Sequence, residues 1–342
     1  MKIRKEKAGK MRQLAGMFKE GGLALIVIQD YPDPDAIASA AGFKALANAL
    51  ANIQCTIVYG GIVGRAENQA LVKYLDLNLR RIEDVDIRRF DMVALLDCQP
   101  QTGNNRLPDE VVPDVVIDHH PVRSNTRRSP FTDIRGKYGA TSTILYEYLR
   151  EAGVDIDVPL ATSLLYGIRS DTQDLGRETT QADIEAFLAL YPSANKRMIS
   201  RIQCGRVPYD YFRMLFDAIR EARIYDDCVV TNLGRIDNPD MIGEVADLML
   251  RRRETSWVLC LGFREGTALF SLRTSAQDGN AGVVARGIAG REGSGGGHTA
   301  LAAGKIPLTS DTEEDRRKKA VQIRDRFLKT LRKKQFEGTS LV

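Results

Sequence analysis

Four short apolar runs constrain this chain more than anything else in it. They are Leu23-Ala24-Leu25-Ile26-Val27-Ile28, Cys55–Tyr59, Met92–Leu96 and Val115-Val116-Ile117. A continuous apolar run of this length suits a strand buried on both faces, as in a parallel sheet. Between the first two runs, Ala36–Ala51 is rich in Ala and Leu and reads as a helix. Gly21-Gly22 and Gly60-Gly61 punctuate the same region. The rhythm is β-α-β, and polar residues collect just after strand ends: Asp33 and Asp35, Asp97, Asp118. Open α/β sheets bind ligands at that edge.

A chain of 342 residues is long for one core and comfortable for two. The expected fold class is α/β, with an N-terminal, mainly parallel sheet flanked by helices. A smaller C-terminal α/β domain with a mixed sheet follows. Residues 2–20 read as a basic amphipathic helix. Residues 140–152 and 159–169 read as helices, the second running into Gly167-Ile168-Arg169-Ser170-Asp171-Thr172. A helical stretch over 181–224 leads away. Strands are expected at Cys228–Asn232, Trp257–Phe263 and Ala268–Arg273, with helices near 240–252 and at Ala281–Ile288. A glycine-rich loop at 293–297 precedes a helix expected to start near His298. The tail, Asp311–Lys334, carries acids first and bases last, an order that suits the helix dipole. The expected division is a domain over 1–195, a helical linker over 196–225 and a second domain over 226–342.

Composition excludes several classes. Five cysteines without a C-x-x-C pair argue against a disulfide framework or zinc ribbon and for reduced thiols in a cytoplasmic protein. Cys98, beside Asp97, reads as core. Met1–Lys10 is charged and lacks the apolar segment of a signal peptide. No apolar stretch approaches the length of a membrane span, so no membrane partner is expected. A net charge of +4 permits a polyanionic ligand without demanding one. Arg123, Arg127 and Arg128 could grip phosphates or decorate a solvated loop, and Arg251-Arg252-Arg253 reads as a surface helix end. The turn Gly60–Arg65 lacks dinucleotide-binding spacing.

The chemistry concentrates elsewhere. The chain has only three histidines, all in Asp118-His119-His120 and Gly295-Gly296-Gly297-His298. Asp33-Pro34-Asp35 can reach two metals from one loop, and Asp97 can bridge two ions with its two oxygens. Hard oxygens with one imidazole fit Mn²⁺ or Mg²⁺. Two such ions, about 3.5–4 Å apart, activate water and stabilise the leaving oxygen in phosphoester hydrolysis. Each element alone is weak, since surface D-x-D and strand-end aspartates are common. Their order carries the signal.

That order resembles the DHH phosphoesterase superfamily. Asp33-Pro34-Asp35-Ala36-Ile37-Ala38-Ser39 is similar to its first motif and Leu95-Leu96-Asp97 to its second. Val116-Ile117-Asp118-His119-His120-Pro121 is similar to the name-giving third, and Gly167–Thr172 to the fourth. Ser294-Gly295-Gly296-Gly297-His298, with Ala302-Ala303-Gly304, resembles the glycine loop of the DHH-associated C-terminal domain. The resemblance covers about residues 20 to 310. It implies that Asp33 serves a first metal, Asp35 a second, and that Asp97 bridges. His119 and Asp171 would complete the second site, and His120 would contact the substrate phosphate. Arg273, His298 and Gly295–Gly297 would hold the rest of the substrate, in a cleft between the domains.

The implied activity is hydrolysis of short oligonucleotides, dinucleotides or nucleotide phosphates with Mn²⁺ or Mg²⁺, probe substrates being short RNA or DNA. A homodimer is compatible with this reading. One departure stands out: the family usually has a histidine four residues before the first aspartate, and here that residue is Gln29. Gln29 would ligate a weakened first site, or water would fill the gap, or the first site would be lost. The last case gives the alternative function, a nucleotide-binding regulatory protein with a degenerate metal site.

Overall fold

The computed structural model describes residues 2–333 and 337–342, with side chains from Gly9 onward. The chain forms two compact units, Met1–Arg206 and Val207–Val342.

The first unit opens with α1 (Lys2–Ala15), which ends earlier than the expected residue 20. Then come β1 (Leu23–Val27), α2 (Pro34–Ala51), β2 (Gln54–Tyr59), α3 (Ala66–Tyr74), β3 (Leu79–Arg81), β4 (Met92–Leu96), β5 (Val115–Asp118) and β6 (Phe131–Ile134). The helices α4 (Thr141–Ala152), α5 (Val158–Asp171), α6 (Gln181–Leu190) and α7 (Lys196–Gln203) complete it. The six strands pair in the order β3-β2-β1-β4-β5-β6, all parallel. The apolar runs are continuous because both faces are covered. Ala24, Ile26 and Ile28 join the core beneath the helices. Leu25 and Val27 join a second core with Ile82, Leu95 and Leu107. The short β3, β6 and α3 carry too little apolar signal to stand out in the sequence.

The second unit runs α8 (Tyr209–Glu221), β7 (Arg223–Tyr225), β8 (Cys228–Arg235), α9 (Asp240–Met249), β9 (Trp257–Arg264), β10 (Thr267–Thr274) and α10 (Ala281–Ala289). It closes with β11 (Ser294–Gly297), β12 (Leu301–Pro307), α11 (Glu313–Thr330) and β13 (Thr339–Ser340). Its sheet has the order β11-β12-β10-β9-β8-β7-β13. It is mixed, with β8 and β9 parallel and the other pairs antiparallel. Lys334, the expected end of the tail helix, lies outside the described residues.

Two expectations need correction. The stretch 181–224 is three helices. Pro192 and Pro208 supply no backbone N–H, and Asn195 caps α7 by accepting from Met198 N at 3.0 Å. The helix expected near His298 is the strand β12. Its opening, Leu301-Ala302-Ala303, favours helix locally, but it is paired on both sides, with β10 and with the glycine strand β11. Tertiary pairing overrides propensity there.

Candidate metal centre

The order of the parallel sheet reverses direction between β1 and β4, and in open α/β sheets a crevice forms at such a point. Gln29 follows β1 there and Asp97 follows β4. Asp97 is fully buried and takes a left-handed backbone, φ +57°, which is costly for a residue with a Cβ. Its N–H donates to Ile117 O at 3.0 Å, so the chain turns sharply at the strand end.

Helix termini supply the rest. Asp33 caps α2, accepting from Ala36 N at 2.9 Å, with Pro34 as the first helical residue. Asp35, fully buried, accepts from Thr141 N at 2.6 Å and Ser142 N at 2.8 Å at the start of α4. The Thr141 hydroxyl donates to Asp97 at 2.8 Å. Asp183 in turn anchors the start of α4, accepting from Gly139 N at 2.9 Å and the Thr143 hydroxyl at 2.6 Å. Asp171 ends α5. That helix comes close because Gly167 has no side chain: a Cβ there would lie 2.5 Å from Ser142 Oγ and 3.2 Å from Asp35 Cα.

The histidines are oriented by neighbours. His119 Nδ1 lies 3.1 Å from Tyr138 O. A carbonyl only accepts, so Nδ1 carries a proton and Nε2 points inward. Nε2 is buried without a hydrogen-bond partner, 3.2 Å from Asp171 Oδ2 and 3.6 Å from Asp97 Oδ1. The contact with Asp171 is close but poorly aligned. His120, at the rim, has Nδ1 2.8 Å from Asp118 Oδ1. Asp118 Oδ2 accepts from Gln99 Nε2 at 2.6 Å.

Like charges crowd this crevice. Burial, then Asp171 and Asp35, push Asp33 up to about 7. Burial, then Asp171, push Asp35 up to about 6. Burial, then Asp35 and Asp33, raise Asp97 well above the usual carboxylate range. Burial opposes the charged form of His119, but Asp171, Asp97 and Asp35 raise its pKa well above normal. The pKa of His120 is also raised: burial opposes its charge, and Asp118 more than offsets it. Asp118 is held at about 2 despite burial, because His120, His119 and Gln99 stabilise its charge.

A divalent cation fits this donor set. Asp97, His119 and His120 bring ligand atoms within 4.8 Å of one another, and so do Asp35, His119 and Asp171. Neighbouring oxygens around a small octahedral ion, with metal–oxygen distances of about 2.0–2.1 Å, lie about 3 Å apart. The buried, unpartnered Nε2 of His119 is the atom such an ion would satisfy. Gln29 also sits in the crevice: its Nε2 donates to Asp97 Oδ2 at 2.8 Å and to Asp33 Oδ2 at 3.1 Å. The amide thus quenches two carboxylates. Turned over, it would place Oε1 at the same point, facing the same oxygens as a third hard donor.

Asp33, Asp35, Asp97, His119, His120 and Asp171 are therefore brought together. The remaining expected residues belong to the second unit. Arg273 is engaged by Asp247 and donates to Ser271 Oγ at 2.7 Å. His298 N donates to Leu301 O at 2.8 Å, and its carbonyl accepts from Gly282 N at 3.1 Å. A Cβ on Gly295 would meet Ala285 O at 2.5 Å, and one on Gly297 would meet Leu301 O at 2.5 Å. Those two glycines permit close packing, whereas Gly296 has open space before it. Sequence reasoning missed Gln99, Tyr138, Thr141 and Asp183. The hydroxyl run Thr141-Ser142-Thr143 at a helix start was the available signal for Thr141. Nothing local marked the others.

Comparison with known proteins identifies the family. The chain is 32% identical over 320 residues to an uncharacterized protein of Methanocaldococcus jannaschii, covering 92% of this chain and 65% of that one. It is 27% identical over 165 residues to a probable manganese-dependent inorganic pyrophosphatase of Staphylococcus saprophyticus, covering 48% of this chain and 53% of that one. The chain spans less than two thirds of the length of these curated relatives. A crystal structure of an exopolyphosphatase-related protein from Bacteroides fragilis shares the fold, with a TM-score of 0.74 and 17% identity, covering 94% of this chain and 96% of that one. Residues 24–168 match the DHH family, N-terminal domain, and residues 226–330 match the DHHA1 domain, so the chain belongs to the DHH superfamily and carries a C-terminal DHHA1 domain.

Proposed function

We propose that this protein is a divalent-metal-dependent phosphoesterase acting on short oligonucleotides, dinucleotides or nucleotide phosphates. The observation that carries the reading is His119. Its Nδ1 is committed to Tyr138 O, and its buried Nε2 is left facing Asp97 and Asp171. A histidine with one nitrogen fixed and the other aimed at carboxylates is the arrangement that metal-binding imidazoles share. In this reading Asp35, His119 and Asp171 would hold one ion, Asp33 with Gln29 would hold another, and Asp97 would serve both. Mn²⁺ or Mg²⁺ suits the oxygen-rich set, and a manganese-dependent relative supports the choice.

Bound ions would supply Lewis acidity and a nucleophilic water. The chain's own residues do the rest. Asp118 holds the His120 ring at the rim, where Nε2–H can meet a phosphate oxygen. The Asp35 and Asp97 carboxylates are kept in place by the start of α4. In the second unit, Arg273, His298 and the open backbone at Gly296 would bind substrate, with Gly295 and Gly297 shaping that strand.

One observation favours a second reading. The Gln29 amide bonds both Asp33 and Asp97, which balances part of the charge without an ion. A nucleotide-binding regulatory protein with a degenerate metal site would keep this arrangement. One panel separates the two. Purified protein with Mn²⁺ is offered short RNAs, linear and cyclic dinucleotides, and adenosine 3′,5′-bisphosphate. Product from wild type, lost in Asp97→Asn, is expected. Stoichiometric nucleotide binding with no product from any substrate would favour the regulatory reading instead.

A further inference from the structure

The loop after the histidine pair carries three arginines that the metal centre does not use. Arg123 precedes a 3₁₀ turn, Ser124–Arg128, and Arg127 and Arg128 end it. All three are exposed, while Thr126 between them is buried. Among the described residues no ion pair, hydrogen bond or ring contact engages their guanidinium groups. From His119 to Thr132 the chain contains no acidic residue.

The loop is also bolted to the candidate metal centre. The buried Gln99 side chain is the bolt. Its Oε1 accepts from Arg123 N at 2.7 Å and from the Thr126 hydroxyl at 2.7 Å. Its Nε2 donates to Asp118 Oδ2 at 2.6 Å and to Pro121 O at 3.2 Å. Asp118 Oδ1 then meets His120 Nδ1 at 2.8 Å. A short chain of hydrogen bonds therefore links the rim histidine to the backbone that bears the arginines. A backbone fixed in this way leaves only the arginine side chains to be ordered on binding. Guanidinium groups match phosphate oxygens in pairs of hydrogen bonds.

We infer that Arg123, Arg127 and Arg128 form a platform for the phosphates of a single-stranded oligonucleotide beyond the one at the metal centre. The inference rests on the proposed phosphoesterase reading for its substrate class. It adds that the protein takes a strand longer than a dinucleotide across this loop. A dinucleotide with a single phosphodiester and no terminal phosphate has none to spare for the platform, so the three arginines set a preference for length.

Binding measured without turnover tests this separately from catalysis. A fluorescein-labelled pentaribonucleotide and a labelled dinucleotide are titrated in EDTA, by anisotropy, against the full chain. The proteins are wild type, Arg123→Ala/Arg127→Ala/Arg128→Ala, and the matching triple lysine variant, across a salt series. The alanine triple should lose at least tenfold in pentamer affinity at low salt and change dinucleotide affinity less than twofold. Its log–log salt slope should flatten by about 2, given about 0.7 per phosphate contact on a single strand. The lysine triple, which keeps the charge, should retain most of the slope and rules out a folding defect. An unchanged pentamer affinity and slope in the alanine triple would overturn the platform. So would failure of the wild type to bind the pentamer at low salt, or tighter binding of linear polyphosphate of equal charge.

Discussion

The two units treat charge in opposite ways. In the first, Asp35 and Asp97 are buried beside the half-buried Asp33, and the pKa values of all three are raised chiefly by desolvation and then by neighbouring carboxylates, Asp171 among them. In the second, Arg273 is engaged by Asp247 and Ser271 on the same sheet and its neighbouring helix. One region is assembled against its own electrostatics and becomes comfortable only when positive charge arrives. The other already has its counter-charge in place. A buried cluster of unbalanced carboxylates costs stability, so its presence points to a ligand more strongly than a satisfied arginine does.

The largest test of the contrast is Asp97→Asn. Hydrolysis should fall by more than about a hundredfold, beyond the roughly 10–100-fold that losing an outer support costs a metal site. Stability without metal should hold or rise, because a like charge is removed and Asn accepts a left-handed backbone well. Assays of product and bound Mn²⁺, with calorimetry on the same protein, read both. A large loss of metal-free stability would mean that the crevice is not strained by its carboxylates.

The second test is pH. Asp33 and Asp35, raised to about 7 and about 6, keep protons that the unfolded chain loses near its ordinary carboxylate pKa of about 4. Metal-free stability from these groups is therefore present at low pH and lost as pH climbs from about 4 through about 7. The raised His119 and His120 act in the same direction, losing their contribution as pH passes through their folded values. The melting temperature without metal should fall between pH 5 and pH 8, and added Mn²⁺ should raise it more at pH 8. A metal-free protein that grows more stable over this range would break the comparison.

Gln29→His sharpens it. An imidazole in place of the amide should lower the Mn²⁺ concentration for half-maximal activity by about tenfold, or roughly 1.4 kcal/mol. A folded histidine variant with unchanged Mn²⁺ affinity by calorimetry would remove Gln29 from the metal shell. The smallest effect belongs to the second unit. Arg273→Ala should raise KM several-fold while bound metal stays the same. Loss of stoichiometric metal from that variant would erase the distinction between the two regions.

The parallel sheet was legible because burial on both faces writes itself as unbroken apolar runs, and the candidate residues Asp97, Asp118, His119 and His120 stood out because they close or follow such runs. What lay hidden was whatever acts at a distance. Gln99 and Tyr138 orient histidines through a side-chain amide and a backbone carbonyl, and neither residue type announces such a task. Asp183 supports α4 from a helix 40 residues further on, a contact only the fold creates. The segment after His298 misled because Leu301-Ala302-Ala303 is locally a helix former, while its partners on both sides are strands. At Gly295 and Gly297 a side chain would run into α10 and β12, so strand packing alone already demands glycine there.

The way Asp35 is held has a consequence for ion size. Both of its oxygens accept from successive backbone N–H groups, at 2.6 and 2.8 Å. The carboxylate plane cannot swing to grasp a cation with two oxygens at once. Calcium gains much of its affinity from such two-oxygen grips and from flexible shells of six to eight ligands, whereas Mg²⁺ and ions like it accept a fixed octahedron. A pinned carboxylate therefore acts as a ruler. Ca²⁺ should compete poorly with Mn²⁺ for this crevice, and a calorimetric competition in which Ca²⁺ displaced Mn²⁺ at equal concentration would show that the ruler bends.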